Sequence, residues 1–290
     1  MLNFLKMVFL PITAPIKFIQ ENFKTFFFLA IMFYIFSNSD ATNIQKPNLY
    51  KIDLVGPIMI ADDVLERIEK AKKDKSVKGV LLNVNSPGGA VAPSVEIAYA
   101  IKELNKIKPV VVYASGVIAS GSYYSAIWAN KIIANPGSMV GSIGVIMQGA
   151  NVSELMKKIG VKTQTVKVGE YKEAGTPTRS WTKSEKAELE KVINDTYDMF
   201  ITDVSTARGL KKEDHKLYAD AHIFTSRQAK EVGLIDEVAT ISKAKSDLMK
   251  LSNVSKPVWN KEDKFDKFME KLVSQTVSQL SIHFNGLKAY

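Results

Sequence analysis

Cysteine is absent from this chain, and histidine is nearly so, occurring only as His215, His222 and His283. The missing cysteine excludes a disulfide framework, a thiolate nucleophile and any cysteine-ligated metal or iron–sulfur site. The three histidines share no metal-ligand spacing, so neither a metal nor a cofactor is expected. His215 falls in the charged run from Lys211 to Lys216 and reads as solvated. His222 and His283 read as packing residues. Also missing is a basic stripe interleaved with aromatics: the net charge of +9 comes from lysines spread over solvated helix faces, such as Lys70, Lys72 and Lys73. Nucleic acid is therefore not an expected partner. What remains is an ordinary globular composition, 46% hydrophobic and 24% charged over 290 residues, with no internal repeat and ample material for a core.

The amino terminus differs from everything after it. Lys6, Lys17 and Lys24 precede an unbroken apolar run from Phe26 to Phe36, and a polar stretch from Asn38 to Asn48 follows. Positive residues before such a run orient the amino terminus toward the cytoplasm and carry the rest of the chain across the membrane. The run is short against the roughly 20 apolar residues of a full span, and its length also fits the core of an export signal. Its bulk and aromaticity favour an uncleaved anchor over a cleaved signal. Leu2 to Ile19, broken by Pro11 and Pro15, reads as interfacial.

From Tyr50 onward short β-branched runs alternate with helical patterns. Strands are expected at Lys51 to Val55, Val77 to Val84, Val110 to Tyr113 and Lys131 to Ala134. Helices are expected from Asp62 as a cap, from Pro93, over Gly121 to Ala129, from Ser153 as a cap to Ile159, and over Lys183 to Arg208. Lys162 to Val168 is expected to be extended, and mixed elements run from Ile223 through Leu248. Apolar strands separated by helices argue an α/β fold, with a mostly parallel sheet covered on both faces. Beyond it Phe265, Phe268, Met269, Leu272, Val273, Val277 and Leu280 fall on one face of a C-terminal amphipathic helix. The expected division is 1–37 for the interfacial segment and anchor, 38–49 for a polar linker, 50–250 for the α/β domain and 251–290 for that helix.

Three loops carry unusual chemistry. Asn85-Ser86-Pro87-Gly88-Gly89 ends a strand, where paired glycines let backbone N–H groups approach a ligand, as an oxyanion hole requires. Pro-Gly-Gly is equally a common turn. Ala119-Ser120-Gly121-Ser122-Tyr123-Tyr124 puts a serine at the start of a helix that follows a strand. Such a serine is either a nucleophile favoured by the helix's positive end or an ordinary N-cap. The third loop runs from Val168 to Pro177 and holds Lys172 among glycines. A lysine becomes a general base only where burial lowers its pKa from about 10.4; the alternative is a surface lysine. Because neither His215 nor His222 lies in a glycine-rich loop after a strand, a serine with a lysine base is preferred to a Ser-His-Asp triad.

Together these loops resemble the short bacterial form of signal peptide peptidase A, a membrane-anchored serine protease whose fold is similar to those of the Clp protease subunit and the crotonases. The likeness extends over most of Tyr50 to Ile241, through Ala134-Asn135-Pro136-Gly137-Ser138, Gly141-Ser142-Ile143-Gly144-Val145, Phe224-Thr225 and Gly233-Leu234-Ile235-Asp236. The resemblance implies a Clp/crotonase-like parallel sheet flanked by helices, with Ser120 as nucleophile, Lys172 as general base, and the N–H groups of Gly89 and Gly121 as the oxyanion hole. It implies a homo-oligomeric ring in which serine and lysine come from adjacent subunits. It further implies a single-pass protein of the bacterial cytoplasmic membrane, with its catalytic domain on the outer side, degrading signal-peptide remnants and other apolar peptides at the lipid bilayer. Ser122 departs from the glycine that many relatives carry there, and its side chain either narrows the pocket or adds a hydrogen bond. Two competing functions are a catalytically silent membrane scaffold of the same fold and a crotonase-type acyl-CoA enzyme.

Overall fold

The computed structural model describes residues 20–37 and 46–260. The interfacial stretch before them, most of the polar linker, His283 and the apolar face from Phe265 to Leu280 lie outside the described residues. The chain divides into two units, Met1–Lys46 and Pro47–Tyr290. In the first, the apolar run is helical over α1 (Phe23–Ser37), 15 residues long. Its Phe23, Phe27, Phe28, Leu29 and Phe33 are exposed. At about 1.5 Å per residue it spans roughly 22 Å, and among the described residues no helix is long and apolar enough to cross a membrane.

The second unit is built on β1 (Leu49–Val55), β2 (Gly79–Ser86), β3 (Val110–Ala119), β4 (Lys131–Ala134), β5 (Met139–Gly141), β6 (Ile223–Thr225) and β7 (Glu237–Val238). Its helices are α2 (Asp62–Lys73), α3 (Val91–Asn105), α4 (Gly121–Ala126), α5 (Ser153–Lys158), α6 (Lys183–Arg208), α7 (His215–Tyr218), α8 (Ser226–Glu231) and α9 (Ile241–Leu251). Strand order is β1-β2-β3-β4-β7, all parallel. β5 joins the end of β3 in parallel, and β6 adds to β5 antiparallel.

The period of two along each strand divides two cores. Val80, Leu82 and Val84 of β2 and Val110, Val112 and Ala114 of β3 face the larger core, which takes in the buried stripes of α2, α3, α4 and α6. Leu81, Val111, Tyr113 and Ile133 face the other side, under Ala244 and Leu248 of α9. Cover on both faces explains why these strands read as unbroken apolar runs.

Several boundaries differ from the sequence reading, for local reasons. Asp62 and Ser153 begin their helices without capping them: Ala61 and Val152 hold the N-cap positions, and neither helix has a side-chain cap bond. Asp62 and Asp63 lie instead in the first turn of α2, where carboxylates favour the positive helix end. The long helix α6 does have a capping box, Thr182 with Glu185, and ends at Gly209 in the left-handed region. Residues 161–167 pair with no strand among the described residues. The largest difference is β3, which continues to Ala119 through a bulge. Ala114 pairs Val84, yet Ile118 pairs Ser86, so β3 carries two extra residues. Asn85 holds the bulge by accepting from the Val117 N–H at 3.0 Å.

Leu82 is fully buried within the sheet, whereas Ile107, in the turn between α3 and β3, is 61% exposed. Leu82→Ala is expected to lower unfolding free energy by about 2–5 kcal/mol, and Ile107→Ala by under about 0.5 kcal/mol, as read from urea denaturation.

Candidate active site

The C-terminal ends of β2 and β3 meet at one corner, and the chain leaves both through backbone that side chains rarely tolerate. Ser120, between β3 and α4, has φ 53 and ψ −126. For a residue with a Cβ that conformation is strained by about 1–3 kcal/mol. It is held from both sides: the Ser120 N–H donates to the Gly141 carbonyl of β5 at 2.8 Å, and its own carbonyl accepts from Tyr124 at 3.0 Å.

The glycines opposite are required by contact. A Cβ on Gly88, whose φ is +93, would lie 2.6 Å from the Gly121 nitrogen. One on Gly89 would lie 2.1 Å from the Ile58 carbonyl oxygen, and one on Gly121 would lie 2.2 Å from Ser94 Oγ. Ile58 donates to the Gly88 carbonyl at 2.9 Å and accepts from Ala90 at 2.7 Å. That parallel bridge leaves the N–H of Gly89 pointing to the opposite side. Gly121 is the first residue of α4, so its N–H has no acceptor within the helix. Ser120, Gly89 and Gly121 thus line a single cleft. Its walls are apolar: Val91 and Val95 from α3, Tyr124 from α4, Val145, and Met199 with Phe200 from α6. Tyr124 packs edge-on against Phe200, with ring centroids 4.8 Å apart, and its hydroxyl donates to Asp203. Burial first, and then that carboxylate, push the phenol far above its ordinary value.

Lys172 is elsewhere. It is exposed on the loop before α6 and is not among the residues lining the cleft. The loop is nonetheless well held. Arg179 forks onto Glu185 at 2.7 and 2.8 Å and reaches Glu173 at 3.1 Å; Lys167 meets Glu173 at 2.9 Å. The Trp181 indole N–H donates to the Thr176 carbonyl at 2.8 Å, and Val152 donates to the Pro177 carbonyl at 2.8 Å. The Arg179 guanidinium, helped by the Thr182 N–H, holds the Glu185 carboxyl down at about 2. Lys167 and then Arg179 hold Glu173 below the usual carboxylate range.

Residues 102–255, just over half of the chain, match the peptidase family S49. The chain belongs to that family. The S49 match takes in Ser120, Gly121 and Lys172 and begins after Gly89. A candidate protease of Methanocaldococcus jannaschii is 47% identical over 190 residues, covering 66% of this chain and 61% of that one. A candidate signal peptide peptidase of Enterococcus faecium is 37% identical over 190 residues, covering 64% and 54%. The chain therefore spans only about half to three-fifths of the length of these two S49-like relatives. Among solved structures a ClpP1 mutant from Listeria monocytogenes is similar, with a TM-score of 0.47 and 16% identity, over 67% of this chain and 93% of that one.

Sequence patterns place Ser120, Gly89 and Gly121 in separate loops, and the fold brings these three together. The cleft walls went unseen. Val91 and Val95 are one helical turn apart and read as ordinary helix residues, while Met199 and Phe200 lie about eighty residues past the serine on a different helix. The pocket-narrowing reading of Ser122 is corrected: its side chain is fully buried, away from the cleft lining, and hydrogen-bonds to backbone.

Gly89→Ala should push Ile58 off its bridge, lowering stability by about 1–3 kcal/mol, measured by urea denaturation. The ion pairs of the lysine loop give a second expectation. Because Glu185 and Glu173 have depressed pKa values in the folded chain, their contribution is complete above the ordinary carboxylate range and is lost as pH falls toward about 2. Protection factors over residues 173–181, exchange rates taken against the intrinsic rate at the same pH, should fall on acidification below about pH 4, and Arg179→Ala should lower them in the same way at neutral pH.

Proposed function

We propose that this chain is a serine endopeptidase whose nucleophile is Ser120. The observation that carries the reading is the convergence in one apolar cleft of a strained serine with two backbone N–H groups free of intrachain partners of their own element. Membership of peptidase family S49 supports it. Ser120 Oγ attacks the scissile carbonyl carbon while its proton passes to a neutral Lys172 amine. The charge that develops on the carbonyl oxygen is met by the N–H groups of Gly89 and Gly121, donors already in place before reaction. The C–N bond then breaks, the lysine ammonium returns the proton to the leaving amine, and water hydrolyses the acyl-enzyme by the same exchange.

The lysine is proposed to come from a second copy of the chain. Lys172 is exposed and outside the cleft, so a single chain does not bring it to its own serine. Its surroundings favour being covered. Ile146, Val166 and Val168 are exposed along the same excursion between β5 and α6, Val168 at 94%. An oligomer that buries this surface both desolvates the amine and delivers it to a neighbouring serine.

The substrate class proposed is apolar peptide, signal-peptide remnants among them, because the cleft walls offer methyl, thioether and aromatic groups and no charge. The exposed apolar residues of α1, behind Lys17 and Lys24, support anchoring at the bacterial cytoplasmic membrane with the peptidase unit on its outer side.

The test is labelling of the detergent-solubilised chain with a serine-directed fluorophosphonate. Wild type should label, and both Ser120→Ala and Lys172→Ala should abolish labelling while leaving the thermal melt in place. Mixing the two inactive variants should restore activity to about a quarter of wild type, the share of neighbouring pairs that random assembly leaves intact. A correctly assembled wild type that fails to label would favour a silent scaffold of the same fold. Labelling that survives Ser120→Ala would place the nucleophile at another serine.

A further inference from the structure

Ser122 is fully buried two residues after the candidate nucleophile, yet it lies outside the cleft, so it is no second nucleophile. Its hydroxyl sits between the ends of two strands. It accepts from the Ala119 N–H at 2.9 Å, at the end of β3, and it lies 2.7 Å from the Ser86 carbonyl at the end of β2. The Ala119 carbonyl is a second acceptor at 2.9 Å. A hydroxyl has one proton, and the shorter contact assigns it to Ser86. The result is a relay, N–H of Ala119 to Oγ of Ser122 to the carbonyl of Ser86, inserted where the β2–β3 ladder has ended at the Ser86–Ile118 pair.

Both ends of this relay adjoin the candidate chemistry. Ala119 is bonded directly to Ser120. Ser86 opens the loop that carries Gly88 and Gly89, and its own hydroxyl accepts from the Gly88 N–H at 3.2 Å. Ser86 therefore holds the donor loop on one side while Ser122 ties Ser86 to the nucleophile's strand on the other. Other links flank this one: the Ser125 hydroxyl of α4 lies 2.9 Å from the Gly121 carbonyl and 3.2 Å from the Ser94 carbonyl of α3, and Asn85 accepts from Val117, but the hydroxyl of Ser122 bridges Ser86 directly to the residue before Ser120. The wall where Gly88, Gly121 and Ser120 crowd together has no room for compensating movement inward.

We propose that Ser122 is a positioning residue that sets the spacing between the Ser120 nucleophile and the Gly89 donor, which rests on the reading of Ser120 given above. Its contribution is realised in the transition state, when the oxyanion must meet Gly89 and Gly121 while still bonded to Ser120. Substrate held by the apolar walls of α3 and α6 does not depend on it.

The experiment uses the full solubilised chain, as Ser122→Ala and Ser122→Gly, with an apolar fluorogenic peptide amide as substrate. Two inhibitors of the same peptide sequence are compared: an aldehyde, which forms a tetrahedral oxyanion on the serine, and a reduced amide, which has no carbonyl to present. Both variants should lose about ten- to hundredfold in kcat, with KM unchanged, the scale set by a misplacement of roughly 1 Å. Aldehyde affinity should fall by the same factor and reduced-amide affinity should hold. A residue that only stabilised the fold would lower the thermal melt and leave the ratio of the two affinities at its wild-type value, and that outcome overturns the proposal. So does a kcat within about twofold of wild type in either variant that melts normally. If Ser120→Ala keeps its turnover, the underlying reading of the nucleophile fails first, and the Ser122 result is then read as a failure of both.

Discussion

Everything in the candidate site depends on how closely two strand ends approach. β2 and β3 are neighbours in a parallel sheet, and each must turn away from its C-terminal end within a residue or two. The backbone there is so crowded that a single methyl at Gly88, Gly89 or Gly121 would overlap backbone or the Ser94 hydroxyl. That crowding forces Ser120 into a positive φ and turns two N–H groups into one cleft. Parallel sheets concentrate such corners at one edge, since every strand hands over to a helix there. The bulge in β3 adds to the effect: two extra residues, fixed by Asn85, bring Ala119 level with Gly141 and give the Ser120 N–H its acceptor.

The cost of that geometry is met by the rest of the fold. A strained serine persists only where its surroundings over-determine it. Ser120 is bonded to β5 on one side and to α4 on the other, and α4 is buried along its whole length against α3 and the sheet. Tyr123 reaches through to give its hydroxyl to the Leu234 carbonyl at 2.7 Å, so the first turn after the serine is anchored to a segment more than a hundred residues away. The large core is thus the support of the corner, and the two faces of the sheet have unequal duties. The larger core fixes the site, and the smaller one beneath α9 closes the opposite side.

How far the sequence spoke depends on the range of the interaction. The α/β alternation, Lys131 to Ala134 as a strand and Lys183 to Arg208 as a helix follow from local periodicity, and the structure has those bounds. The loops of Ser120, Gly89 and Gly121 were legible as glycine- and serine-rich strand ends, but each also fits a turn or an N-cap, and the three roles came only from the resemblance. Non-local facts were not legible. The extension of β3 depends on an Asn85 side chain in another strand, and the strand β5 on pairing with residues 223–225. The cleft walls depend on α6 crossing back to a corner set much earlier in the chain. Ser122 shows the limit most plainly: the residue drew notice for its type, while its role came from two carbonyls and an N–H that only folding brings within 3 Å.

Lys172 marks the difference between a site that is built and one that is complete. The loop carrying it is pinned by Arg179, Glu173 and Glu185, by the Trp181 indole and by Val152, a concentration of contacts that an idle surface loop does not need. Yet the amine stands in water, outside the cleft. A rigid loop holding an exposed lysine amid exposed valines is the arrangement expected of a group delivered to a partner, since rigidity reduces the ordering cost of association and the valines supply apolar area to bury. On the reading proposed here, the same contact that joins two chains removes water from the amine, and removing water favours the neutral form that can take a proton. Assembly and activation then become a single event. On that reading, a chain alone would hold a strained serine and two ready donors with nothing to take the proton.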